Sequence, residues 1–378
     1  MNTSALTGTF PSQAIAEMAR NGCIVSEAGK LDEGQIQPSS LDLTLSAEAY
    51  QLPGSLLPLR NESVRQVLAQ LPNRKLDLSE PMLLSRGKVY LVRLREKFKL
   101  PCNVAAYTNN KSSTGRIDLA TRVVCDCNPR YDKVPEGYGT RKGESGELWL
   151  EVVPRSFDTV VKAGVSLNQA ILYAGRNMLR SQELEPVYQK TPLLFDKHVY
   201  PVGDDDLIID DGLLMTLDLD QDLAGFVAKR TYEPLDITKG AGSHDADEFF
   251  DRIERPRKGQ LWLERGRFYI FSTWEYIRVP PQYAVEMLPY DTSAGEFRAH
   301  YAGFFDPGFG YGLKGEDKGT PAVLEVRAWE DDLIVRHRQP VCRMAYETLA
   351  APPERLYHAS IGSTYATQRG PKLSKFFR

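Results

Sequence analysis

Two short segments of the chain gather side chains capable of chemistry. The first reads Asn109-Asn-Lys111-Ser112-Ser113-Thr114-Gly115-Arg116 and places a lysine, hydroxyls, a glycine and an arginine within six residues. Backbone N–H groups, O–H donors and two cations in one turn suit a polyphosphate. As a bare pattern it is equally a solvated turn. The second segment, Tyr301-Ala302-Gly303-Phe304-Phe305-Asp306-Pro307-Gly308-Phe309-Gly310, leads through an insertion to Val323-Leu-Glu325-Val. Asp-Pro-Gly is a turn sequence that suits a hairpin. A glycine-rich loop with aromatics can cup a planar ring, and a carboxylate on the next strand can face that ring.

Strands must position both segments. The chain holds 29 glycines and 24 prolines, which punctuate short runs rich in Val, Ile, Leu, Tyr and Phe, such as Val89-Tyr-Leu-Val-Arg-Leu and Phe268-Tyr-Ile-Phe. That is the pattern of many short strands and tight turns, so the fold is predicted to be mainly β with a few short helices. Helices are predicted over Pro11–Gly22, which starts on Pro-Ser and stops on Asn-Gly, and over Ser63–Leu71 and Asp245–Ile253.

The chain repeats itself. Leu84-Ser-Arg-Gly-Lys-Val-Tyr through Pro101 aligns without a gap to Leu263-Glu-Arg-Gly-Arg-Phe-Tyr through Pro280, at a constant offset of 179 residues. Further on, Leu148-Trp-Leu-Glu151-Val aligns to Ala322-Val-Leu-Glu325-Val. Two copies of one β unit follow, residues 1–200 and 201–360, with a junction near Lys197–Asp206 and a polar, basic, mobile tail over 361–378. The copies differ where chemistry is expected. Opposite Lys111–Arg116 the second copy has Tyr290-Asp-Thr-Ser-Ala-Gly-Glu296, without the cations. Opposite the aromatic loop, the first copy is read as Val124-Cys-Asp-Cys-Asn-Pro-Arg130. The copies have lost opposite halves, which predicts one composite site per chain.

These motifs together resemble the dCTP deaminases, metal-free enzymes of the trimeric dUTPase-like superfamily. Ala302-Gly-Phe-Phe-Asp-Pro-Gly-Phe followed by Leu-Glu325-Val resembles their base-binding hairpin and catalytic strand. Lys111-Ser-Ser-Thr-Gly-Arg116 resembles their phosphate and catalytic motif R-S-S-x-x-R. Ile36-Gln-Pro-Ser-Ser-Leu-Asp-Leu43 resembles the N-terminal I-Q-P-x-S-x-D-L. Tyr365-Ala-Thr-Gln-Arg-Gly-Pro371-Lys-Leu-Ser resembles the closing tail. The four stand in the family order from Ile36 to Ser374, in the manner of the long bacterial form with two deaminase-like β-barrel or β-clip domains in tandem. Two positions depart from the pattern: Lys111 stands where Arg is usual, and Thr364 where a Lys often precedes the tail Tyr.

The resemblance implies hydrolytic deamination of dCTP to dUTP and ammonia. Glu325 would act as general base and then acid, while Ser112 and Arg116 position the water and stabilise charge. Lys111 and Ser113 would hold phosphates; Ala302, Gly303, Phe304 and Asp306 would frame the base. Tyr365, Gln368 and Arg369 would close over the nucleotide. Glu151, at the matching strand position of the first copy, is the alternative catalytic carboxylate. Mg²⁺ is expected with the triphosphate, as part of the substrate. Zinc deaminases carry H-x-E…P-C-x-x-C; this chain lacks that signature, so no catalytic zinc is expected. A dUTPase, a bifunctional deaminase releasing dUMP, and a non-catalytic deoxynucleotide sensor are the other readings.

Composition narrows the classes further. With 47 basic and 50 acidic residues the formal charge is −3, which gives no global field for a nucleic-acid backbone. No apolar stretch approaches the ~20 residues of a membrane helix, and the N-terminus lacks a signal pattern. Five scattered cysteines suit a cytoplasmic protein with free thiols. A homo-oligomer is compatible with all of this.

Overall fold

A computed structural model describes residues 6–203, 205–290, 303–329, 331–358 and 364–378. The architecture is mainly β, as predicted; among the described residues no helix exceeds ten residues, and none is long and apolar enough to cross a membrane. The N-terminal half forms a continuous antiparallel sheet in the spatial order Leu119–Cys125, Glu147–Pro154, Val89–Phe98, Leu41–Leu52, Ser166–Ala174, Ala105–Asn110, Lys133–Val134. The long strand Leu41–Leu52 makes the sheet bend. Its first residues pair with Ser166–Ala174 and its later ones with Val89–Phe98, so one strand serves two sheet faces.

The C-terminal half repeats this arrangement. Phe268–Ile277 pairs with Thr320–Arg327 as Val89–Phe98 pairs with Glu147–Pro154. Tyr283–Pro289 pairs with Pro340–Thr348 as Ala105–Asn110 pairs with Ser166–Ala174. Side chains recur as well as strands. Glu96 accepts from the Thr44 N–H (2.8 Å) and Oγ1 (2.7 Å), and Glu275 accepts from the Thr216 N–H (2.6 Å) and Oγ1 (2.7 Å). Burial raises both carboxyls above the usual range, and these donors oppose that shift.

The register corrects one alignment. Phe304–Phe305 pairs with Glu286–Val285, and Lys133–Val134 pairs with Tyr107–Ala106. The first copy's counterpart of the aromatic hairpin is therefore Lys133-Val-Pro-Glu-Gly-Tyr138, not Val124–Arg130. Gly139 and Gly310 end the two hairpins at φ +81° and +61°. A Cβ there would stand 1.8 Å from the Phe98 carbonyl oxygen or 2.2 Å from that of Ile277. Only glycine lets the hairpin return across the strand end so closely.

The helices Ser12–Arg20 and Val64–Gln70 form within their predicted ranges, the second capped reciprocally by Ser63 and Gln66. Over 245–253 only Ala246–Phe249 is helical. Phe250–Glu254 becomes a strand because Phe249 and Phe250 enter the core and the following residues pair with Leu223–Ala228.

The halves are not separately cored. One apolar cluster joins Leu94, Phe98 and Leu150 of the first half to Phe249, Phe268, Ile270 and Val323 of the second. Leu179, Leu184 and Leu194 pack instead with the second core, although the sequence reading placed them in the first unit. The predicted mobile tail is packed over residues 364–378: Leu373 and Phe376 are buried in the first core, and the Phe377 ring lies 5.5 Å from Phe249 and 5.4 Å from Phe250. Apolar residues at 373, 376 and 377 anchor it despite its polar average.

Candidate active site

Ala105–Asn110 runs into a single helical turn, Ser112–Gly115, tied to the sheet by Lys111 N–H on the Leu167 carbonyl (3.1 Å). The turn presents Lys111, Ser112, Ser113 and Arg116 to a pocket of about 350 Å³. From the other half, the hairpin supplies Gly303, Phe304, Phe305, Asp306 and Phe309, and the strand Thr320–Arg327 supplies Glu325. The tail supplies Thr364, Tyr365, Gln368 and Lys375. The pocket is thus built from both halves.

Each wall has its own fastening. Asp306 is buried and accepts from the Ser39 N–H (2.8 Å) and Oγ (3.0 Å), which clips the hairpin to the first half; burial pushes its carboxyl up to about 6. Phe304 meets Tyr107 edge-on at 6.3 Å. Behind them, Tyr107 Oη donates to Glu347 (2.7 Å), and Arg176 pairs with Glu347 and with Glu286 (2.6 Å). On the strand that carries Glu325, Arg327 pairs with Asp118, two residues beyond Arg116, and donates to Ser156 Oγ (3.0 Å).

Arg116 is the hub. Its guanidinium stacks on the Tyr365 ring at 3.7 Å and donates to Gln368 Oε1 (3.0 Å) and the Lys372 carbonyl (3.0 Å). Gln368 also donates to the Pro321 carbonyl (2.7 Å). The Nε of Arg116 is buried with no partner among the described residues. A buried orphan donor costs roughly 1–3 kcal/mol, so its place on the pocket wall suits a polar ligand. Burial pushes the Glu325 carboxyl up to about 8; Arg116 pulls it back toward ionisation and Asp118 pushes it further up. Lys111 pairs with Asp42, whose Oδ1 is likewise buried and without a partner among the described residues.

Of the residues expected from sequence, Glu325, Ser112, Arg116, Lys111, Ser113, Gly303, Phe304, Asp306, Tyr365 and Gln368 come together here. Three do not. Arg369 is exposed outside the pocket, donating to the Gly319 carbonyl (3.4 Å). Glu151 is buried elsewhere, accepting from Tyr131 Oη (3.1 Å). Ala302 lies outside the described residues. Sequence reasoning gave no role to Gln37, Asp42, Asn110, Gln169, Tyr357 or Lys375, all of which line the pocket. The first two lie inside the Ile36–Leu43 motif and could have been found there; nothing in the local sequence marks Tyr357 or Lys375.

This pocket is of the class built between two β lobes, cationic and hydroxyl-rich on one wall and aromatic on the other, with a buried carboxyl between. Known proteins define it further. Residues 6–176 match the model of the 2'-deoxycytidine 5'-triphosphate deaminase N-terminal domain, and residues 182–377 match that of the C-terminal domain. The chain belongs to the 2'-deoxycytidine 5'-triphosphate deaminase family. It is similar to the crystal structure of that deaminase from Agrobacterium tumefaciens, with a TM-score of 0.83 and 36% identity over 92% of this chain and 100% of the other. It is also 30% identical over 118 residues to a "dCTP deaminase, dUMP-forming" of Bifidobacterium longum (strain DJO10A), and 29% identical over 119 residues to that of Bifidobacterium animalis subsp. lactis (strain AD011). Those two matches span 57% and 58% of the relatives' lengths and 30% and 31% of this chain.

Proposed function

We propose that this chain hydrolyses dCTP to dUTP and ammonia, at one site per chain shared by two tandem copies of a β unit. One observation carries the reading: Glu325 of the second half lines the same pocket as Ser112 and Arg116 of the first. Deamination needs a group that takes a proton from water as its oxygen attacks C4. The same group must deliver that proton to N3, then take the proton of the new C4 hydroxyl and pass it to the departing amine, so that one C–N bond breaks and one C=O bond forms. A buried carboxyl held near 8 by its surroundings is poised for both directions. Ser112 orients the water, and Arg116 stabilises the negative charge that develops. The hairpin around Gly303 and Phe304 holds the base, with Asp306 fixing the hairpin through Ser39. Lys111 leaves Asp42 for the phosphates, which arrive as their Mg²⁺ complex, and Ser113 donates to them. Tyr365 and Gln368 close the site by holding Arg116.

The test is incubation of the purified protein with dCTP and Mg²⁺, with nucleotides separated by chromatography and ammonia assayed in parallel. The expected result is dUTP with matching ammonia. Release of dUMP and pyrophosphate would assign it the dUMP-forming activity named for the Bifidobacterium proteins. Tight dCTP binding without product would overturn catalysis and leave a nucleotide sensor.

A further inference from the structure

Lys375 stands apart among the pocket residues because it comes from the last four residues of the chain. Its backbone is pinned on both sides. The N–H donates to Tyr365 Oη (3.1 Å), and the carbonyl accepts from the Gly242 N–H (2.9 Å). The preceding Ser374 is buried and donates to the Ser113 carbonyl (2.8 Å), and the following Phe376 is buried in the core. Fixing the backbone between two such anchors sets the direction in which this exposed side chain leaves the chain. That side chain shares the pocket wall with Lys111 and Asp42.

The local charges are unequal. Lys111 is already paired with Asp42, and a second ammonium faces the same carboxylate. Burial and the Lys111 charge hold the Lys375 ammonium below the ordinary lysine range, against the pull of Asp42. Two lysines over one carboxylate leave an excess positive charge at the end of the pocket that carries Ser113. An anion with several negative charges neutralises that excess.

We infer that Lys375 is a specificity-determining residue that binds the outer phosphates of the nucleotide, so that the seated C-terminal segment makes the site select triphosphates over monophosphates. The inference rests on the deaminase reading for the identity of the substrate, but not for the charge it recognises. Substrates with fewer phosphates leave Lys375 facing Lys111 without an anion between them.

The experiment compares wild type with K375M and K375R on dCTP and dCMP. In K375M the KM for dCTP is expected to rise about tenfold, in line with loss of a charge-assisted contact. The kcat for dCTP and the kcat/KM for dCMP stay within about twofold, and K375R restores most of the loss. An equal drop in kcat/KM for both nucleotides would overturn the inference, since Lys375 would then only hold the tail, and the deaminase reading would stand. If the wild-type protein turned over neither nucleotide, the functional reading would fail by itself. Calorimetric binding of inorganic tripolyphosphate would then decide: weaker binding by K375M supports the inference, and equal binding overturns it.

Discussion

Glu325 sits on a strand buried along its whole length, and that burial holds its carboxyl near 8. The native state therefore binds this proton more tightly than the unfolded chain, whose ordinary value is 4.5. By linkage, its contribution to stability is present below about 4.5 and is lost as pH rises through about 8. E325Q cannot ionise, so its Tm should match wild type near pH 5 and exceed it increasingly toward pH 8.5. The same substitution should lower deamination by roughly 10²–10⁴-fold, the usual worth of general acid–base catalysis. With Glu325 as the proposed base of the attack step, kcat/KM should climb with pH through a limb near 8. A pH–rate profile that is flat from 6.5 to 9 would remove Glu325 from that step.

At the scale of elements, the tail is part of the fold and of the site at once. Phe376 anchors it in the core, while Tyr365 and Gln368 grip Arg116. F376A should destabilise the protein by roughly 3 kcal/mol in chemical denaturation, as large-to-small core changes do. Y365A removes both the stacking partner of Arg116 and the Oη that accepts from the Lys375 N–H, so it should raise the KM for dCTP several-fold. The polar average of residues 361–378 suggested a mobile tail, and the error is instructive. Three apolar residues decide where this segment goes, and an average over 18 residues hides them. The hairpin tells the reverse story. Gly303-Phe-Phe-Asp-Pro-Gly was legible as a turn between strands, but its clip to Ser39 joins residues 267 apart and has no local signature.

For the whole molecule, the consequence is that neither half owns the site. Arg327 and Asp118 pair across the halves with both side chains buried. R327A should cost about 3 kcal/mol or more, because it leaves the Asp118 charge buried without that partner. The composite site is read as lying within one chain, which makes a direct prediction. When full-length S112A and E325Q chains are co-expressed and co-purified, no deamination should return, since no chain then holds both groups. Recovery toward a quarter of wild-type activity would place the two groups on different chains.

Local chemistry in the sequence determined the strand-rich character, the two helix starts, the internal repetition and most of the pocket's residue types. These are properties of neighbouring residues: alternation, turn glycines, caps and short motifs. Tertiary structure decided which glutamate faces the pocket. Glu151 and Glu325 hold matching strand positions, yet only Glu325 meets Arg116, because the Lys111–Arg116 turn of the first half packs against the strand of the second. It also decided that Arg369, one residue from Gln368, points away, and that Lys375 points in. Such choices depend on contacts between segments more than 200 residues apart in the chain, whose pairing is set by burial of a shared core rather than by any local pattern.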